Sequence, residues 1–183
     1  MWYPASVDTP PSGEPVTAAE VKAQAIVDHS DDDALIARLI EAARSYVEAY
    51  CGIQLAERVL TLRCDSFGDF DRLPEAPVQE IVSIGYVDPA GDEQTLSDTV
   101  YELRQCGDGL EAAIVLKAGQ RWPAILSRSR VTVTMLVGYD TVPAAIRHAM
   151  LLWIADAYAK RENDAQGGWT AFDALLCNFR RGA

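Results

Sequence analysis

Two histidines, four cysteines and two groups of aspartates are the side chains of this sequence that could do chemistry. A nucleophilic cysteine needs a neighbouring base. Cys51, Cys64, Cys106 and Cys177 have only His29 and His148 to draw on, and none forms the C-x-x-C pair of a zinc ribbon or dithiol redox site. They read as reduced, mostly buried residues. Asp31, Asp32 and Asp33 lack the alternate spacing and distal glutamate of a calcium loop, and helix capping accounts for them better. Asp65, Asp69 and Asp71 surround Phe67 and Phe70, and paired carboxylates there could serve as acid and base of a hydrolase. That stretch supplies no second partner group. His29 lies in a polar break beside acids, and His148 lies inside a helical stretch, where a structural histidine is the plain reading. Phosphate loops, the G-x-S-x-G elbow, H-E-x-x-H and the Rossmann fingerprint do not occur.

The chain is long enough for one domain, or one domain with a sizeable insertion, since 183 residues can bury roughly 70% of the unfolded surface. No apolar run approaches the ~18 residues of a bilayer span, so no membrane partner is expected. The first fifteen residues lack the basic and apolar regions of a secretory signal, which makes the cytosol the expected compartment. The net charge of -11 is uneven: twelve acids from Asp65 to Glu111 face only Arg72 and Arg104, leaving the remainder nearly neutral. Such a balance speaks against gripping nucleic acid, whose binders concentrate Lys and Arg on one face.

The elements that would position any site are written more clearly than the chemistry. Residues 1–15, with four prolines and Gly13, read as a flexible extended arm that needs a partner to settle. Thr17 and Glu20 form a capping box, with Val16 and Val21 as its hydrophobic staple, and open a helix over 17–27. Ser30 with Asp33 repeats the pattern before a helix over 31–51. Leu35, Ile36, Leu39, Ile40, Ala43, Tyr46, Val47 and Tyr50 recur there at helical spacing, and Gly52 stands at the C-cap. The period then switches to two: Leu60, Leu62 and Cys64; Val82, Ile84 and Tyr86; Val131, Val133, Met135 and Val137. Turns at 88–91 and 106–109 add a strand near 94–96 and a hairpin of 101–104 with 113–116. This β region, about 55–137, reads as an antiparallel sheet of five or six strands whose acids lie in turns and on the wet face. Pro143 opens a helix over 143–161 with Ile146, Met150, Trp153, Ile154, Ala157 and Tyr158 on one stripe. A hinge at Gln166-Gly167-Gly168 precedes a tail with Thr170 and Asp173 as a further capping pair. Its Trp169, Phe172, Leu175, Leu176 and Phe179 present more apolar surface than so short a free helix could sustain. The fold class is therefore α+β, a helical bundle with an inserted antiparallel β region.

The order EPVTAAEVK, DDALIARLIEAARSYVEAYCG, LPEAPVQEIVSIGYVDPAG, Trp122-Pro123, and VTVTMLVGYDTVPAAIRHAMLLWIADAYAKRE resembles the phage head-tail connector, or adaptor, family. Members occur in phages, prophages and gene transfer agents. The resemblance covers about residues 14–162, and its two helical blocks are specific together with the junction of Gly138-Tyr139 and Val142-Pro143, each alone being weak; the tail after Gln166 matches poorly. It implies a domain over 16–162, a docking tail over 163–183, no catalysis and no cofactor. It also implies a ring, typically of twelve copies, between the portal protein and the next tail-side connector or stopper. DNA would pass through without specific binding, in a virion or virion-like particle assembled in the bacterial cytoplasm. The tail would reach the portal through Trp169, Phe172, Leu175, Leu176 and Phe179, with Arg180 and Arg181 for acidic rim contacts; packing against its own domain is the competing account. The acidic β region would either line the channel and repel phosphates or form a solubilising outer face. A reading from another class stays open: a cytosolic enzyme or small-molecule binding module with a site built from Asp65, Asp69, Tyr101 and His148.

Overall fold

The computed structural model describes residues 1–11, 13–107, 109–160 and 170–181. The chain divides into a helical unit, residues 13–56 and 140–183, and a β unit, residues 1–12 and 57–139. The α+β class follows from the switch of hydrophobic period between them.

In the helical unit, α1 (Ala18–Ala25) opens with the expected capping box. Thr17 Oγ1 accepts the Glu20 N–H at 3.2 Å, and the Glu20 carboxylate accepts the Thr17 N–H at 2.8 Å. Val16 and Val21 are both buried, as a staple requires. Along α2 (Asp33–Cys51) the buried residues are Ile36, Ile40, Ala43, Val47 and Cys51, one helical stripe. Gly52 ends it with φ 68°, its N–H on the Glu48 carbonyl at 2.9 Å; any residue with a Cβ would be strained there. The capping pair expected at Ser30 and Asp33 does not form. The helix begins at Asp33 and Asp32 makes no side-chain cap bond. Asp32 instead accepts the Tyr158 hydroxyl at 2.5 Å, and Asp33 pairs with Lys22. Charged and hydroxyl partners elsewhere in the bundle compete successfully with a local cap, because a charge-assisted contact is the stronger bond.

The next helix, α3 (Ala144–Lys160), follows Pro143, whose carbonyl accepts the Arg147 N–H at 3.1 Å. Its buried residues Ile146, Ala149, Met150 and Ile154 follow the expected stripe, with Trp153, Ala157 and Tyr158 half-buried beside them and His148 and Asp156 exposed on the other side. On it pack α1, α2 and the short α4 (Ala171–Leu176).

The β unit contains β1 (Ser6–Val7), β2 (Arg58–Cys64), β3 (Val78–Val87), β4 (Glu93–Thr95), β5 (Tyr101–Cys106), β6 (Glu111–Leu116) and β7 (Val131–Val137). Instead of one sheet there are two. Five strands pair antiparallel in the order β1-β2-β7-β3-β4, and β5 with β6 forms a separate hairpin. The hairpin contributes Tyr101, Ala112 and Ile114 to the same core as Leu60, Leu62, Cys64, Val133 and Met135. Two register shifts interrupt β3 against β7, between Val78 and Glu80 and between Ile81 and Ser83. An extra residue reverses the alternation. Val82, in phase with Ile84 by sequence, is therefore 53% exposed while Ile84 is buried.

Residues 1–11 are not a free arm. Ser6 and Val7 pair with Thr61 and Leu60, the Tyr3 N–H reaches the Arg63 carbonyl at 2.9 Å, and Val59 N–H donates to Thr9 Oγ1 at 2.9 Å. Trp2 stacks on Phe70 at 6.0 Å and its indole N–H reaches the Asp69 carbonyl at 2.9 Å. The ordering cost that the prolines suggested could not be met alone is offset within the chain, by an edge strand and one anchored aromatic. Replacing Trp2 with alanine should lower the unfolding free energy by about 2 kcal/mol, less than the ~3–5 for a fully buried aromatic because the ring is half-buried. Chemical denaturation with a wild-type midpoint would contradict it.

Both rims of the larger sheet are short. β1 spans two residues between Pro4 and the pair Pro10-Pro11, which carry no N–H, and β4 spans three beginning at Glu93. Such rims resist strand addition.

Candidate functional site

The candidate carboxylates Asp65 and Asp69 and two of the four cysteines are committed to structure. Asp69 accepts the backbone N–H groups of Asp65 and Ser66, each at 3.1 Å, and so caps the turn of 3-10 helix at Phe67–Asp71 that buries both phenylalanines. Asp65 accepts the Tyr3 hydroxyl at 2.9 Å. That hydrogen bond, then the one from the amino terminus, holds the Asp65 carboxyl below its ordinary range, which suits an ion-pair partner and not a proton donor. Tyr101 is buried in the β core, and burial pushes its hydroxyl up. His148 lies in the helical unit, exposed on α3. Burial pushes the Cys51 thiol up to about 11 and Cys64 to about 12, so neither supplies a thiolate at neutral pH. Cys106 and Cys177, expected among mostly buried cysteines, are exposed. Among the described residues no group of three His, Cys, Asp or Glu could hold a metal ion, and no helix is long and apolar enough to cross a membrane. The acids between Asp65 and Glu111 sit in turns and at exposed or half-buried positions; none of those described is buried.

What the chain does build is a set of apolar surfaces, and the tail is the clearest. α4 begins with a capping box: the Asp173 N–H donates to Thr170 Oγ1 at 3.3 Å, and Asp173 accepts the Thr170 N–H at 2.8 Å. Leu176 is fully buried. Phe172 stacks on Tyr46 at 5.4 Å, the Tyr50 hydroxyl donates to Asp173 at 2.6 Å, and the Arg181 N–H reaches the Cys51 carbonyl at 2.8 Å. The Arg180 guanidinium lies 4.7 Å from the centre of the Tyr50 ring. The structure thus brings Phe172, Leu176, Arg180 and Arg181 together on α2 and α3, with Leu175 and Phe179 half-buried. Trp169 and the Gln166-Gly167-Gly168 hinge lie outside the described residues.

Asp173 gives this docking a pH dependence. Hydrogen bonds from Thr170 and Tyr50 lower its carboxyl from 3.8 to about 2. A carboxyl depressed on folding contributes stability that is complete above its unfolded value and disappears as pH falls through the folded one. Amide-exchange protection of residues 171–176 should therefore weaken between pH 4 and 2 in the wild type and show no such step in Asp173→Asn. An identical step in both proteins would assign it to another group.

Two further surface residues had no signal in the periodicity. Tyr46, part of the expected buried stripe of α2, is 45% exposed, and Ile26, just past α1, is 93% exposed. Among the described residues these are the exposed large hydrophobics of the helical unit.

Residues 16–86, which span α1, α2, β2 and most of β3, match a family described as phage gp6-like head-tail connector protein. No curated protein matches the sequence. Three similar solved structures cover nearly the whole chain at 22% identity. One belongs to the neck of an empty gene transfer agent (GTA) particle computed with C6 symmetry, with a TM-score of 0.80, 99% of this chain and 97% of that one. Another belongs to the virion of a native GTA particle, at 0.78 with 98% and 96% coverage. The third belongs to the neck of a native GTA particle computed with C12 symmetry, at 0.77 with 99% and 97%. Residues 16–86 carry the match to the phage head-tail connector family, and the chain from end to end has the fold of subunits found in gene transfer agent particles.

Proposed function

We propose that the protein is a structural adaptor that forms a ring between the portal and the tail of a phage or gene transfer agent particle. The observation that carries this reading is agreement over both units at once: a connector-family match in residues 16–86, and a fold shared with neck subunits over 97% or more of each chain. Supporting it, the carboxylates and buried thiols that could do chemistry act as caps, anchors and core. The partners are then the portal protein, the next tail-side connector or stopper, and further copies of the chain, twelve in the assembled ring. The protein catalyses no reaction, and DNA crosses the ring without specific contacts. Its place is the particle, assembled in the bacterial cytoplasm.

The tail remains part of this proposal with its roles divided. Phe172 and Leu176 hold α4 on the bundle, which leaves Arg180 and the outer edges of Leu175 and Phe179 to meet the portal. The exposed acids of the β unit suit a channel wall that repels phosphate, and equally a solubilising outer surface. Reversing Glu80, Asp92, Glu93, Glu102 and Glu111 to lysine separates the two, since only a channel wall requires a loss of DNA transfer. The function itself is tested by expressing the full chain with its cognate portal protein. A ring of this chain bound to the portal in electron micrographs is expected. Absence of any complex, or turnover of a substrate by the pure protein, would overturn the reading.

A further inference from the structure

Ile26 is costly to the subunit in two ways. It closes α1 with φ 56° and ψ 48°, its N–H capping the Lys22 carbonyl at the end of the helix. That left-handed conformation is an outlier for a β-branched side chain, and glycine or asparagine usually fills it. The side chain is also 93% exposed, so the strained position holds an apolar group in water. Strain of this kind persists where something beyond the local fold uses it.

The same unit carries a surface that could receive such a group. Tyr46, 45% exposed, lies 5.8 Å from Trp153, 5.4 Å from Phe172 and 6.0 Å from Tyr50, and forms the open side of an aromatic stack. The Lys22–Asp33 ion pair fixes the Ile26 corner beside the first turn of α2, and Tyr46 stands thirteen residues further along that helix. At 1.5 Å per residue the start of α2, where that corner lies, is about 20 Å from Tyr46. One subunit cannot bring them together, but two can.

We propose that Ile26 of one subunit seats on the Tyr46–Trp153–Phe172 stack of the neighbouring copy and so forms the head-to-tail contact of the ring. The proposal rests on the ring reading above. A closed ring of identical subunits needs two different patches on every copy, one complementary to the other. A protrusion and a receptive aromatic surface are such a pair, and among the described residues they are the exposed large hydrophobics of this unit. Burial between copies also explains why the position holds isoleucine: the side chain is useful only in the assembly.

The test compares folding with assembly. Tagged Ile26→Gly is co-expressed with untagged wild type and the portal protein, and its share of assembled rings is counted. The purified Ile26→Gly subunit should melt higher than wild type, because the strain is gone, while its share of the ring falls about tenfold, the loss equivalent to about 1.4 kcal/mol. A photo-crosslinking benzophenone residue at position 26 should give adducts at residues 46, 153 or 172 of a second copy. Incorporation of Ile26→Gly at the wild-type share would overturn the proposal, as would adducts only on the portal or another protein. Failure of the wild-type protein itself to form rings would show in the control and remove the ring reading as well.

Discussion

Removing residues 170–183 should unfold the helical unit, beyond depriving it of a partner contact. Leu176 is fully buried, and loss of one such leucine typically costs about 2–5 kcal/mol. The deletion also takes the Phe172 ring off Tyr46 and the Asp173 carboxylate off the Tyr50 hydroxyl, and it uncovers the apolar part of α3 on which α4 packs. The sum is comparable to the whole stability of a small domain, about 5–15 kcal/mol. Helical circular dichroism should fall, and the truncated protein should bind hydrophobic dyes. A milder variant, Leu176→Ala, should remain folded but melt lower, at a cost of about 3 kcal/mol. A truncated chain with the melting curve of the full one would show that α4 contributes nothing to the bundle. The same measurement bears on portal binding, since a truncation that abolishes docking is informative only where the remaining bundle is folded.

Phe70→Ala is expected to have the largest effect in the β unit, a loss of about 3–5 kcal/mol. Phe70 is 1% exposed and stands at a junction of rings: Trp2 stacks on it at 6.0 Å, Trp122 meets it edge-on at 5.4 Å and Phe67 at 5.5 Å. Removing it leaves a cavity and releases the anchor of residues 1–11. Asp69→Asn keeps the aromatic junction and an oxygen for the cap of the same turn, so it should cost far less, under about 1 kcal/mol. Denaturation midpoints for the two variants provide the check. If Asp69→Asn proved the more damaging, the turn would be held by its charge and not by its rings.

The contrast explains which parts of the fold could be read from the residues alone. Thr17 with Glu20 and Thr170 with Asp173 were legible because their partners are three residues away, and helix geometry decides the outcome locally. Ser30 with Asp33 has the same appearance, yet distant Lys22 and Tyr158 take the carboxylates. The alternation in β2 and β7 gave the inward residues correctly, whereas Val82 was misplaced because its phase depends on a bulge set by pairing with β7. Pairing of Ser6 and Val7 with residues far along the chain left no periodic trace in a two-residue strand.

The candidate surfaces follow the same division. The apolar excess of the tail was visible as spacing, and the structure supplies what it packs on. Ile26 could not be recognised, because exposure and a left-handed backbone are both set by where α1 stops and α2 begins. Asp65 and Asp69 invited a catalytic reading only while Tyr3 and the backbone they bind were unplaced.

The three-sided burial of α3 has a consequence for biosynthesis. Its last covering piece, residues 171–176, follows every other element that packs on it. The strands of the β unit are complete before that piece is made, so the β unit can fold first and the bundle must wait. Released chains ending before residue 170 should show a protease-resistant β core beside a digestible α3. Late closure would keep half-made subunits out of the growing particle.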